Sequence, residues 1–282
     1  MIETLSESFE YVIPLEQNTK KNRFMNDHLF STLPLWVIYI IIVSIILSSV
    51  RSGIAFAQWR KKRVKHEDES SINTLVGSTL GLLAFILAFT FSLSSSRFDA
   101  RKQFLLEEVN SIETSWLRAG LVEEPYNSLI KKALKEYVEV RIWLIDNPDK
   151  VKEGINNSSK IQNTIWALIT DMNQKNIGKD IINATLIEAT NHMFDNQTKR
   201  IAKGVHDRIP NLIWIALFAL IIIAMFQIGY LLGKSEKSNW ALVLALSMSF
   251  SIIIIIIVDL DSSKGNITLN HQSMYDMYDR IK

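Results

Sequence analysis

Few side chains in this sequence could run chemistry, and their spacing decides what they could do. The 282 residues include five histidines, His28, His66, His192, His206 and His271, and no cysteine. Without a thiol there is no disulfide framework, thiolate nucleophile, iron–sulfur cluster or cysteine-ligated zinc. No histidine pair stands at the HExxH spacing that a helix-borne metal site uses. His192 and His206 lie near Asp195 and Asp207, a placement that any polar helix surface produces. P-loop, GxGxxG and GxSxG patterns are all missing. Ser92, Ser94, Ser95 and Ser96 have no adjacent histidine base. Hydroxyls in a membrane helix bond to backbone carbonyls or line a polar passage. The expectation is a protein that is not an enzyme and holds neither metal nor cofactor. A net charge of +2 also predicts no nucleic-acid partner, which would call for a strong basic excess.

One stretch is distinctive. Gly77 and Gly81 form a GxxxG pair, which predicts close helix packing. Phe85 and Phe89 stand four apart, on one helix face. Arg97 follows eight residues after Phe89, with Asp99 just beyond, where a long charge-free run stops.

That run is one of four. Residues 29–50, 70–96, 209–233 and 238–258 contain no Asp, Glu, Lys or Arg. A soluble helix needs a wet face and mixes its charges. A crossing of ~30 Å of hydrocarbon needs about 20 apolar residues, and each run meets that length. Pro34 and Pro210 stand near two of the starts, where a missing N–H does no harm. Trp36, Trp214 and Trp240 lie near span ends, the depth that amphipathic rings favour. No span carries an ionisable group at depth, which argues against proton-coupled transport and intramembrane catalysis.

Four spans place the termini and the long middle segment on one side. The Lys/Arg rule does not decide which. By count, the middle segment is cytoplasmic. By density, the cluster Arg60, Lys61, Lys62, Arg63 and Lys65 on the short-loop side argues the reverse. The same cluster suits contact with anionic lipid, at roughly 1 kcal/mol per charge near a surface, or serves as a plain topology signal. A bacterial inner membrane with cytoplasmic termini is the working expectation.

Residues 97–208 hold 17 basic and 16 acidic residues and read as helical throughout. Phe98, Leu105, Val109, Ile112 and Trp116 share one face. No Pro or Gly falls between Ser96 and Gly120, so the second span should leave the membrane as one long helix. Glu123-Glu124-Pro125 starts another, with acids at the positive end of its dipole. Asn147-Pro148 ends it. Two further helices follow, the last running towards Pro210. The predicted fold is all-α: a four-span helical membrane protein whose spans continue into an extramembrane helical body. The expected division is an N-terminal segment (1–33), a first transmembrane hairpin (34–96), the body (97–208), a second hairpin (209–258) and a C-terminal tail (259–282).

The stretch FILAFTFSLSSSRFDARKQFLLEEVNSI, from Phe85 to Ile112, resembles the bestrophin-like family of bacterial membrane proteins, distantly related to bestrophin ion channels. Further marks are Glu124-Pro125-Tyr126, Arg208-Ile209-Pro210, Gly229-Tyr230, and Asp259-Leu260-Asp261 leading to Gly265. The resemblance implies two spans, a cytoplasmic helical body and two more spans, assembled as a pentamer around one pore that passes inorganic ions. It implies a hydrophobic neck on the second span. Phe85, Phe89, Arg97 and Phe98 match the pattern of aromatics four apart followed eight residues later by Arg and an aromatic. Gly81 holds the third neck position, where a large aliphatic is usual. Arg97 or Asp99 would then stand at the intracellular pore mouth, and whichever faces the axis sets the sign of the permeant ion. Asp259 and Asp261 alone are too few for the six to eight oxygens that calcium prefers, so no calcium gating is expected. The alternative is a non-conducting scaffold or sensor that signals through its helical body.

Overall fold

The computed structural model describes residues 33–63, 69–203, 208–234, 240–262 and 269–282. Eight α-helices follow in order: α1 (Leu35–Lys61), α2 (Glu69–Ala119), α3 (Tyr126–Asp146), α4 (Val151–Gln174), α5 (Asp180–Ile201), α6 (Asn211–Lys234), α7 (Trp240–Asp261) and α8 (Gln272–Ile281). A short 3₁₀ turn, Pro148–Lys150, joins α3 to α4. No strand occurs among the described residues. Helices α1, α2, α6 and α7 are long and apolar enough to cross a membrane.

Helix α2 is the spine. It runs unbroken for 51 residues, about 75 Å at 1.5 Å per residue. Its first half belongs to the apolar bundle and its second half to the body. Two separate cores follow from this. One packs Ile38, Ile42, Ile46, Leu83, Leu87, Leu217, Ile221 and Ile254 from the four apolar helices. The other packs Leu105, Ile112, Ile130, Leu134, Tyr137, Ile165, Ile169, Leu186 and Met193 from α2 to α5.

Several local expectations hold. Pro34 caps α1, α3 starts after Glu124-Pro125, and Asn147-Pro148 separates α3 from α4. Others differ. Helix α1 does not stop where the charge-free run ends, at Val50, but continues through Arg51 to Lys61, held along α6 by close packing at Gly53. Trp214 is buried beside Phe218, 6.2 Å away, rather than presented at a span end as Trp36 and Trp240 are. The C-terminal stretch forms α8, whose Met274, Met277 and Ile281 complete the body core.

Candidate functional site

Within the bundle α2 is only half covered. Leu83, Leu87, Thr90 and Ser94 are buried against its neighbours. The opposite side is open along its length. Ser78, Leu82, Phe85, Phe89, Ser92, Ser96, Asp99, Gln103, Leu106, Asn110, Thr114 and Leu117 are all exposed. These positions advance by four and three residues in turn almost throughout, the 3.5-residue period that keeps one seam on one side of a long helix. Phe85 is 67% and Phe89 is 55% exposed. From Phe85 to Gln103 the chemistry along the seam changes in order: apolar rings, then hydroxyls, then a carboxylate, then an amide.

Arg97 and Asp99 part company here. At ~100° per residue Asp99 lies about 40° from Phe85 around the helix, and Arg97 about 120°. Asp99 is exposed on the seam, whereas Arg97 is half-buried with its Nη1 shielded from solvent. Gly77 and Gly81 stand beside the seam. A Cβ built on either would meet no atom within 4 Å, so none of the described helices packs closely on this GxxxG.

The close approach lies elsewhere. A Cβ on Gly53 of α1 would stand 2.1 Å from the Phe226 carbonyl oxygen, and one on Gly229 of α6 would stand 2.0 Å from that of Val50. Gly233 is similarly crowded by Ala57 and Ile54. Gly229 and Gly233 are themselves a GxxxG, a signal present in the sequence and passed over there. Ser49 strengthens the same contact by donating to the Ile222 carbonyl at 2.6 Å.

Where α2 leaves the bundle, three distant segments meet. Ser94 Oγ donates to the Ile257 carbonyl at 3.0 Å. The buried Arg101 guanidinium donates to the Leu260 carbonyl. Arg208 donates to the Asp261 carbonyl, and the Ile209 N–H donates to Asp261 Oδ1 at 3.0 Å. The last carbonyls of a helix lack intrahelical donors, so cationic donors at the end of α7 satisfy them and complement its dipole. The two marks Arg208-Ile209-Pro210 and Asp259-Leu260-Asp261, read separately in the sequence, thus form one junction. Asp259 and Asp261 are both buried in it. Sequence reasoning did not single out Arg101 at all.

Below this junction a charge is buried in the body half of α2. Glu108 is fully buried between Arg141 Nε, 2.9 Å away, and Arg200. The Tyr137 hydroxyl lies 3.2 Å from Glu108 Oε1 and 3.0 Å from Gln197 Oε1. Burial pushes the carboxyl pKa up, but the two guanidinium groups outweigh that and hold it below the ordinary carboxylate range. The cluster ties α2, α3 and α5 together and so fixes the direction in which α2 leaves the bundle.

Other sequence candidates are dispersed. His192 and Asp195 are exposed on α5, and no group of three or more His, Asp or Glu side chains that could hold a metal exists among the described residues. His28, His66, His206, Asp207, Lys65 and Gly265 lie outside the described residues. Arg60, Lys61, Lys62 and Arg63 are exposed at the end of α1.

Comparison with known proteins agrees with this architecture. No match is found among curated proteins. Among solved structures, a variant of a bacterial bestrophin homologue from Klebsiella pneumoniae is similar with a TM-score of 0.64 at 13% identity, over 86% of this chain and 97% of that one. Another variant of that homologue gives 0.63 at 12% identity, over 88% and 97%. A structure described as a membrane protein gives 0.64 at 14% identity, over 86% and 96%. At such identities the likeness is one of fold. The Bestrophin-like domain model matches residues 42–263, a span that takes in most of α1 and all of α2 to α7, and the chain therefore belongs to the Bestrophin-like family.

Proposed function

We propose that this chain forms a homo-oligomeric ion channel, a pentamer, whose pore is lined by the open seam of α2. The observation that carries the reading is the seam itself. One face of α2, which alone among the described helices contributes to both cores, is left exposed by the other described residues, and it stays in register for about 60 Å. Copies arranged around an axis would turn that face inward and bury the family's aromatic pair where it narrows a passage.

Phe85 and Phe89 then form two apolar rings about 6 Å apart along the axis, a constriction that gates by dewetting. Gly81, one turn further from the body, adds no third ring. Gly77 and Gly81 stand where neighbouring copies of α2 can approach closely. Ser92 and Ser96 offer hydroxyls to a hydrated ion below the neck. Asp99 forms the mouth, and its carboxylates favour cations. Arg97, turned away from the seam, contributes to the wall rather than to ion choice. The protein resides in the bacterial inner membrane, with termini and body in the cytoplasm.

The reading is tested with purified full-length protein in planar bilayers under a salt gradient. Wild type should pass current with a reversal potential on the cation side. Asp99→Asn should move that potential towards zero without abolishing current. A reversal potential on the anion side would overturn the assignment of Asp99 to the mouth.

A further inference from the structure

The far end of α1 carries an arrangement for which the pore has no use. The apolar run of α1 ends at Val50, and the Arg51 guanidinium carbon lies 6.0 Å from the ring of Trp240, the first residue of α7. Helix α1 nevertheless continues for ten residues, seated on α6 through Gly53, Gly229 and Gly233. On this continuation Phe56 stacks on Trp59 at 5.6 Å and meets Phe226 and Tyr230 of α6 at 5.7 and 6.0 Å. Phe56 is 39% and Trp59 is 49% exposed, so the aromatic bed is open on its outer side.

Cations rim this bed. The Arg63 guanidinium carbon lies 4.3 Å from the Trp59 ring centroid, while Lys234 Nζ, 5.7 Å from that of Tyr230, is buried. Arg60 stands about 40° from Phe56 around α1, on the same face. Lys61 and Lys62 point away from it. A guanidinium lying over an indole keeps its N–H edge for planar oxygen acceptors, which suits phosphate better than a lone ammonium does. Aromatic rings at headgroup depth accept glycerol and the first methylenes of an acyl chain.

We propose that this surface is a binding site for the headgroup of an anionic phospholipid, with Arg60 and Arg63 on the phosphate and Phe56, Trp59 and Tyr230 beneath it. The site requires a membrane-embedded α1–α6 pair and is independent of whether α2 conducts. It narrows a six-residue basic run to two arginines on one face.

The test is native mass spectrometry of the detergent-purified full-length chain titrated with phosphatidylglycerol or with phosphatidylcholine of the same acyl chains. Wild type should retain phosphatidylglycerol in preference, and added salt should weaken that retention. Arg60→Gln combined with Arg63→Gln should lower phosphatidylglycerol affinity by roughly tenfold or more. Lys132→Gln with Lys152→Gln, on the body, should leave it unchanged. Equal retention of the two lipids by wild type overturns the proposal. So does full retention of phosphatidylglycerol by the doubly substituted arginine variant. Circular dichroism identifies a variant that has lost its helices, and the salt series on wild type then decides: retention indifferent to salt also overturns the proposal.

Discussion

Phe85 and Phe89 expose more than half of their surface, as do several other apolar residues of the spans, and a contiguous apolar surface of this kind is one that lipid or another copy covers. Replacing both with alanine takes nothing from the buried core. Thermal stability should therefore change little, while current through the proposed pore should rise. Glu108 presents the opposite case. Glu108→Ala would leave Arg141 and Arg200 facing each other without their shared carboxylate, and breaking a buried ion pair costs about 3–5 kcal/mol. The expected result is a clearly lowered thermal transition, read by circular dichroism or by tryptophan fluorescence. Phe85 could be found from sequence because its spacing is local. Glu108 could not, because its partners lie on other helices and no local pattern marks a carboxylate as buried.

Elements divide along the same line. The continuity of α2 was legible because no Gly or Pro interrupts residues 82–119 and one apolar face persists. The stop at Asn147-Pro148 was legible from proline chemistry. Helix α8 was not foreseen, although Met274, Met277 and Ile281 already show helical spacing; ten residues give too short a window to stand out. The GxxxG pairs make the lesson specific. Both satisfy the pattern, but only Gly229 and Gly233 meet another helix of the chain, because only α6 has a small residue, Gly53, opposite. Gly229→Leu should therefore disrupt the α1–α6 contact and reduce the yield of folded protein. Gly81→Leu should leave the folded chain intact and change assembly or current instead. Equal loss of folded protein from both substitutions would remove the distinction. Arg101→Gln tests the junction at the end of α7. It removes a charged donor from a buried carbonyl, a loss of roughly 1.5–3 kcal/mol, and should lower the thermal transition less than Glu108→Ala does.

At the scale of the whole molecule, the chain is two cores on one spine. The apolar core and the body core share α2, and buried polar contacts hold both ends of the bend-free segment between them: Arg101 at α7 and Glu108 in the body. One titration reports on the body alone. His271, at the start of α8, is half-buried, and burial together with the nearby Arg200 holds its pKa below the ordinary 6.5. As pH falls below about 6.5 the unfolded chain takes up that proton before the folded one does, so stability is lost on acidification down to the folded pKa. The thermal transition should fall between pH 7 and pH 5, and His271→Gln should flatten that component. The four-span plan was legible from charge segregation alone. What covers the seam of α2 was not, since a single sequence describes one copy and the proposed pore needs several.

The most direct test of the central claim, that the open seam of α2 lines a pore, is current across a planar bilayer carrying the purified full-length protein. Wild type should conduct, and Phe85→Ala with Phe89→Ala should conduct more at the same protein density. Absence of current from both forms, or equal current from both, would contradict it.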